Sequence, residues 1–216
     1  MKLIGMLDSP YVRRVALSFQ LLGLHFSHQA LSVFRAYPEF KAINPVVKAP
    51  TLVCDDGEVL MDSEVILEYA EALARPRTLL PRELAELRHD LRLVGLALVA
   101  CEKSVQTIYE RKLRPPQKQH EPWLDRVSAQ LHSAYDLIEA ELGLRPIAAT
   151  REGIGRGGVS AAVAWEFTQK SIPGVVDAQR YPRIAAFSAQ AELLEEFRLA
   201  PYGSGTYPVR AAPSTS

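Results

Sequence analysis

Three short stretches of this chain carry side chains able to bind or stabilise charge. In D-S-P-Y-V-R-R, Asp8 to Arg14, a hydroxyl stands directly before a proline, an aromatic ring and two arginines. Ser accepts from an orphan amide at a helix start, and Pro at the next position is pre-set for helix and lacks an N–H that would go unpaired. Capping therefore accounts for the residue types, yet a hydroxyl at the positive end of a helix is also a donor to an anion. In N-P-V-V-K-A-P-T-L-V, Asn44 to Val53, Lys48 offers a cation just before Ala49-Pro50, an X-Pro bond of the kind that is cis in roughly 5–6% of cases. In D-S-E-V-I-L-E-Y, Asp62 to Tyr69, a strand-like run gives way to a helix at Asp62-Ser63. Helix amides with a Ser hydroxyl suit a carboxylate, and Asp62 beside them can hold an ammonium, although capping explains this pair as well. Arg13 and Arg14 read as solvated or salt-bridged. The two cysteines, Cys54 and Cys101, sit in apolar runs with no metal spacing, so they read as buried core thiols.

The elements that would position these residues alternate through the first third. Residues 2–7 are strand-like; Val12, Val15, Ala16, Phe19 and Leu22 fall at helical spacing and stop at Gly23. A mixed run, 25–31, alternates like a strand, and a polar stretch studded with aromatics leads to Asn44-Pro45. Strands over 51–54 and 58–61 are joined by the turn Asp55-Asp56-Gly57. The Asp62-Ser63-Glu64 helix carries Ile66, Tyr69, Ala70 and Leu73 on one stripe. The result is a small mixed sheet with helices packed on it.

Beyond Arg75-Pro76-Arg77 and Leu80-Pro81-Arg82, a charged Pro-rich connector, nearly everything reads as helix. Leu87, Leu91, Val94, Leu98, Cys101, Val105 and Ile108 recur at spacings of four and three until Pro115-Pro116. Leu124, Val127, Leu131, Ile138 and Leu142 mark an antiparallel neighbour ending at Gly143. Residues 147–158 read as a loop, 160–171 as a buried helix, and Tyr181-Pro182-Arg183 starts another. The expected division is a first domain over 1–75, a linker over 76–86, an all-helical domain over 87–202 and an irregular tail over 203–216.

The totals set bounds. The 216 residues are 48% apolar, enough for a real core, and Lys plus Arg equals Asp plus Glu at 25 each. No net field draws in nucleic acid or acidic lipid. The N-terminal apolar run is too short for a secretory signal, and nothing approaches about 18 apolar residues free of charge. These features predict a soluble cytoplasmic protein with neither nucleic-acid nor membrane partners.

Taken in order and spacing, the S-P-Y-V-R-R, N-P-V-V-K-A-P-T-L-V and D-S-E-V-I-L-E-Y segments, followed by long helices behind a Pro-rich linker, resemble the cytosolic glutathione transferase family. The likeness runs to about residue 200 and is greatest to bacterial members with Ser after the first strand. It implies an α/β thioredoxin-like N-terminal domain followed by an all-α helical-bundle C-terminal domain, and a homodimer. It also implies glutathione as co-substrate, no metal, and a role in detoxification by conjugation to a small hydrophobic electrophile. Ser9 would stabilise the thiolate, with Tyr11 as its competitor. Lys48 would meet the glycine carboxylate, and a cis bond before Pro50 would expose the Ala49 backbone to the cysteinyl part. Asp62 and Ser63 would hold the γ-glutamyl end. Leu7, Tyr11, Tyr109, Arg111 and Leu113 are the implied lining of the electrophile pocket. A non-catalytic glutathione-binding or regulatory protein of this fold, or a glutathione-dependent isomerase or dehalogenase, remains open as an alternative.

Two departures from the family pattern raise expectations of their own. Val47 stands where relatives often have Gly, and a β-branched residue does not easily adopt positive φ. Val163 stands three residues after Ser160, where relatives commonly return a capping hydrogen bond with Asp, so the last helices lack that lock.

Overall fold

A computed structural model describes residues 1–207, and the chain divides between Leu79 and Leu80 into two units, with Glu195 onward returning to the first. The part of the expected tail beyond residue 207 lies outside the described residues. The return of Glu195 onward differs from the expected helical domain over 87–202, and its cause is packing against the helix Pro10–Leu22.

In the first unit, strands β1 (Lys2–Ile4), β2 (Ser27–Gln29), β3 (Thr51–Val53) and β4 (Val59–Met61) form one sheet in the order β2-β1-β3-β4. β1 runs parallel to β2 and antiparallel to β3, and β3 to β4 is a hairpin. The hairpin closes through the Gly57 amide on Cys54 O and the Cys54 amide on Glu58 O, with Gly57 at φ 89°. Helices α1 (Pro10–Leu22), α2 (Tyr37–Ile43) and α3 (Ser63–Leu73) complete a thioredoxin-like domain. Leu3, Ile4, Val12, Val15, Phe19, Phe40, Leu52 and Ile66 are wholly buried; Leu3 and Ile4 are successive residues of an inner strand, so that strand is covered on both faces.

Of the two states expected for Arg13 and Arg14, solvated or salt-bridged, the structure rules out the first, since both are 1% exposed, and gives Arg14 the second through Glu64. α1 is covered on nearly every side, so a charge on it must find partners inside the protein. Arg13 Nε donates to Ala200 O at 2.8 Å, and its guanidinium lies 5.4 Å from the Phe197 ring. Those residues belong to and follow α8 (Glu195–Leu199), whose Glu196 O also accepts from Gln20 Nε2 at 3.1 Å. A cation at the carbonyl end of a short helix is electrostatically favourable, and this draws the C-terminal segment onto the first unit.

Tyr207, the last described residue of the chain, meets a histidine. Tyr207 stacks on Phe26 with centroids 4.7 Å apart, and its amide donates to His28 Nδ1 at 2.9 Å. Nδ1 is thereby an acceptor, so His28 is neutral with its proton on Nε2, which donates to Gly5 O at 2.6 Å. Burial lowers the His28 pKa below its usual value, the Gly5 carbonyl opposing only in part.

The second unit is helical: α4 (Leu84–Ile108), α5 (Glu121–Leu144), α6 (Gly155–Ser171) and α7 (Pro182–Ala191). No helix among the described residues is long and apolar enough to cross a membrane. All five expected α5 positions are buried. On α4 the expected stripe is rotated. Val94 and Cys101 are buried as expected, but Leu91 is 47% exposed, whereas Asp90, Leu93, Ala97, Ala100, Ser104 and Thr107 face inward. Three of those residues are polar, and two have partners on α6. Ser104 Oγ lies 2.9 Å from Thr168 Oγ1, which is 2.6 Å from Tyr135 Oη, and Tyr135 donates to Ala164 O at 2.9 Å. The donors and acceptors run in one direction along this buried chain, which holds the Tyr135 hydroxyl protonated; burial pushes its pKa well up.

α6 also begins earlier than expected. Ser160 is inside the helix, its Oγ donating back to Arg156 O, and the start at Gly155 has no side-chain cap of its own. Asp90 Oδ1 on α4 accepts from the Gly157 amide at 2.8 Å instead. A Cβ on Gly157 would stand 2.8 Å from Asp90 O, so glycine is what lets the two helices meet there. The lock that Val163 cannot provide is thus supplied from a neighbouring helix. α7 repeats the device, its Arg183 and Ile184 amides donating to Glu139 of α5 at 2.9 and 3.0 Å.

Two outcomes follow for stability. Asp90→Ala removes a charged cap and is expected to cost about 1–3 kcal/mol. Both tryptophans, Trp123 and Trp165, are in the second unit, so urea unfolding followed by tryptophan fluorescence reads this loss directly; an unchanged midpoint would show that the cap is idle. In the first unit, lowering the pH below about 6.5 lets the unfolded chain take a proton that folded His28 resists. The His28 contribution is therefore complete above that pH and lost as pH falls toward the depressed folded value. Calorimetry at pH 7.5 and 5.5 should show a smaller difference for His28→Gln than for the parent, with the variant less stable at pH 7.5.

Candidate functional site

The loop between α2 and β3 is built from Asn44 outward. Asn44 is 3% exposed; its Nδ2 donates to Thr51 Oγ1 at 2.8 Å, and Thr51 Oγ1 donates to Lys48 O at 2.6 Å. Asn44 Oδ1 and O accept the Val46 and Val47 amides at 3.0 and 2.9 Å. This network fixes a tight bend that delivers Lys48, Ala49 and Pro50 in sequence, and the Ala49–Pro50 bond is cis. Val47 corrects the expectation about its backbone. It takes φ 54°, the left-handed region, despite its branched Cβ. Its amide bond to Asn44 and the flanking turn hold it there.

Lys48 and Asp62, expected to meet opposite parts of a ligand, pair with each other: Nζ to Oδ2 is 2.8 Å. Their side chains are 52% and 42% exposed. An exposed pair of this kind is worth about 0–1 kcal/mol, so exchanging it for other partners is cheap. Asp62 sits at φ 78° as the N-cap of α3, its Oδ1 accepting from the Glu64 amide at 3.0 Å. Burial alone would raise its pKa, but the Lys48 hydrogen bond, the Glu64 amide and the charges of Lys48 and Arg14 outweigh it, so the carboxyl is held below its usual value.

Ser63 follows as the first residue of α3, 3% exposed. Arg14, from α1, donates through Nη1 to Ser63 Oγ at 3.1 Å and pairs with the Glu64 carboxylate. Sequence reasoning missed Arg14. The signal available was an arginine among the buried positions of an amphipathic helix, but its partners lie 49 and 50 residues away.

Ser9 is the N-cap of α1, half-buried, with its Oγ 3.5 Å from the Val12 amide. That distance is at the limit of a hydrogen bond. The cap is weak, and among the described residues no shorter partner engages the hydroxyl, whose proton is left for donation. Asp8 beside it is half-buried, and burial raises its pKa against the pull of Arg35. Leu7 is buried and Tyr11 half-buried in the same unit.

The remaining expected residues are on one turn of the second unit. α4 runs on into a single wider turn, Tyr109–Leu113. Tyr109 and Leu113 are 45% and 57% exposed. Arg111 is engaged by Glu121, at 2.7 and 3.0 Å, and by Gln119 at 3.1 Å. No group of His, Cys, Asp and Glu fit for a metal occurs among the described residues. Cys54 and Cys101 are buried and form no disulfide among the described residues.

Val47 gives a direct test of how the bend is held. A left-handed conformation costs an L-residue with a Cβ about 1–2 kcal/mol, while glycine loses roughly 0.5–1 kcal/mol in extra chain entropy. Val47→Gly is therefore expected to leave stability unchanged or raise it by up to about 1 kcal/mol, where such a change normally destabilises. A clear drop in melting temperature by calorimetry would mean that the Val47 side chain contributes packing that outweighs its backbone strain.

Residues 3–78 match the family model described as glutathione S-transferase, N-terminal domain. Among curated proteins, the chain is 29% identical over 142 residues to the uncharacterized GST-like protein YibF of Escherichia coli, covering 66% of this chain and 70% of that one. It is 33% identical over 82 residues to glutathione S-transferase U4 of Arabidopsis thaliana, 38% of this chain and 37% of that protein. Among solved structures, a glutathione transferase family member from Pseudomonas fluorescens Pf-5, with bound glutathione, is 28% identical. It superposes with a TM-score of 0.77, over 91% of this chain and 96% of that one. With its sheet order, cis-proline bend and helical second unit, the chain is similar to glutathione transferases over nearly its whole length, and its residues 3–78 match that family's N-terminal domain.

Proposed function

We propose that this chain is a glutathione transferase that uses Ser9 to hold the thiol of glutathione as thiolate for attack on a small hydrophobic electrophile. The observation that carries this reading is the loose cap. A Ser oxygen at the start of α1, 3.5 Å from the Val12 amide it caps, can turn its proton to an incoming sulfur without surrendering a strong bond. A free thiol titrates near pKa ~8.5, so only about 3% is ionised at pH 7. Lowering that value by about two units takes roughly 2.7 kcal/mol. A hydrogen bond to a charged acceptor supplies about 1.5–3 kcal/mol, and the end of a helix about 0.3–1 kcal/mol more. The two together meet the requirement.

The rest of the site is assigned by complementarity. Lys48 takes the glycine carboxylate, and the Ala49 backbone before cis-Pro50 pairs with the cysteinyl unit as an added strand. Asp62 takes the γ-glutamyl ammonium, and Ser63 with the α3 amides takes its α-carboxylate. The cost of opening the Lys48–Asp62 pair is small, and the ligand returns a counter-charge to each. No cysteine occurs in the first 53 residues, where the Ser9 segment lies, which favours conjugation over a mixed disulfide with the protein. Leu7, Tyr11, Tyr109, Arg111 and Leu113 are the proposed electrophile contacts. A cytoplasmic homodimer acting in detoxification completes the reading; Leu84 and Leu91, exposed on α4, support the dimer.

Ser9→Ala is expected to lower kcat with chlorodinitrobenzene about 10- to 100-fold at pH 6.5, leave glutathione binding nearly unchanged, and shift the pH–rate profile toward that of the free thiol. Tyr11→Phe should change kcat little. A crippled Tyr11→Phe beside an active Ser9→Ala would reverse the assignment.

A further inference from the structure

We propose that His28 is a positioning residue for the glutathione site and that the C-terminal segment sets it: the Tyr207 amide fixes the tautomer whose Nε2–H holds the Gly5 carbonyl, and Gly5 is the residue against which Ala49 lies. This rests on the assignment of the Ala49 backbone to the cysteinyl unit above. Gly5 follows β1 and is buried, its amide donating to Gln29 O at 3.1 Å and its carbonyl accepting from His28 Nε2 at 2.6 Å. Its φ of 135° is one that glycine adopts readily and residues with a Cβ do not. A Cβ there would stand 2.6 Å from Val12 Cγ2 and 3.2 Å from Ala49 Cβ. Gly5 is therefore wedged between α1 and the cis-proline bend, and a shift of its backbone is passed to Ala49.

The tautomer matters because a neutral imidazole has one donor and one acceptor, and either nitrogen can carry the proton. With the proton on Nδ1, two acceptors, Nε2 and the Gly5 oxygen, would face each other, and a buried carbonyl would lose its partner. The Tyr207 amide removes that state, because it can only donate and it reaches Nδ1 at 2.9 Å. Phe26 and His28 are two residues apart, so extended backbone puts their side chains on one side, and Tyr207 meets both, its ring centroid 4.7 Å from that of Phe26. Phe26 in turn packs edge-on against Phe19 of α1, at 5.3 Å. His28 is 7% exposed, so water does not readily replace the amide. The C-terminal segment thus reaches Ala49 through Tyr207, His28 and Gly5 in turn.

The test uses the full chain at neutral pH with Tyr207→Pro, which removes the amide proton along with the ring, and Tyr207→Ala, which gives up the ring and keeps the proton. Histidine nitrogen NMR shifts report which nitrogen of His28 is protonated, and titration calorimetry reports the glutathione dissociation constant. The parent and Tyr207→Ala should show the Nε2–H form alone. Tyr207→Pro should show a mixture with the Nδ1–H form and bind glutathione about three- to tenfold more weakly than Tyr207→Ala, with kcat at saturating glutathione within about twofold. A pure Nε2–H signal in Tyr207→Pro, or a mixture with glutathione affinity equal to that of Tyr207→Ala, would overturn the positioning role. If instead the Ala49 amide resonance of the parent does not respond to saturating glutathione, the assignment of Ala49 falls first and takes this proposal with it. Should Tyr207→Pro fail to fold, the parent decides through the reciprocal effect. Saturating glutathione slows solvent exchange of the His28 Nε2 proton if the two are coupled, and an unchanged rate overturns the proposal.

Discussion

A guanidinium cannot be left unpaired inside a protein, and Arg14 is buried against α3. Its partners, Ser63 and the Glu64 carboxylate, belong to the first turn of that helix. The desolvation cost of one charge therefore fixes the start of α3 against the side of α1. Ser9 at the start of α1 and Asp62-Ser63 at the start of α3 come to share a rigid frame, though 53 residues separate the two segments. A fully apolar contact would bury similar area, but it would not specify which way the Ser63 hydroxyl points.

The bend over residues 44–51 depends on a second buried polar group. Asn44 and Thr51 satisfy each other and the surrounding amides, and the energy of that network holds Val47 in a conformation it would not adopt alone. The site thus combines two residues at positive φ, Val47 and Asp62, one weak cap at Ser9 and one exposed ion pair. Each is a local departure from what a chain optimised only for stability would do, and each leaves a group disposed toward a ligand.

In the second unit the same economy appears without a site. α6 and α7 carry no caps of their own, and carboxylates on α4 and α5 satisfy their first amides. A sequence scan for capping boxes looks three residues along the chain; these caps lie 67 and 44 residues away. The same reason rotated the α4 stripe. Apolar periodicity pointed to Leu91, while the helix buries Asp90, Ser104 and Thr107 because polar partners on α6 await two of them. Residues 195–202 return to the first unit for a related reason, since Arg13 and Gln20 recognise backbone carbonyls there, which every sequence possesses.

What the sequence determined by itself is the part governed by short-range rules. Alternation set the strands, the Asp55-Asp56-Gly57 turn set the hairpin, and Ser9-Pro10 and Asp62-Ser63 set two helix starts, because each depends on neighbours within a few residues. The same segments carried the family resemblance. Only the tertiary structure decided which charges are buried and what neutralises them: Arg13 on a helix end, Arg14 on Ser63 and Glu64, Lys48 on Asp62, and the carboxylates that cap α6 and α7. Those pairings depend on distances in space between residues far apart in the chain, and the cost of burying a charge is settled only when its surroundings have been assembled.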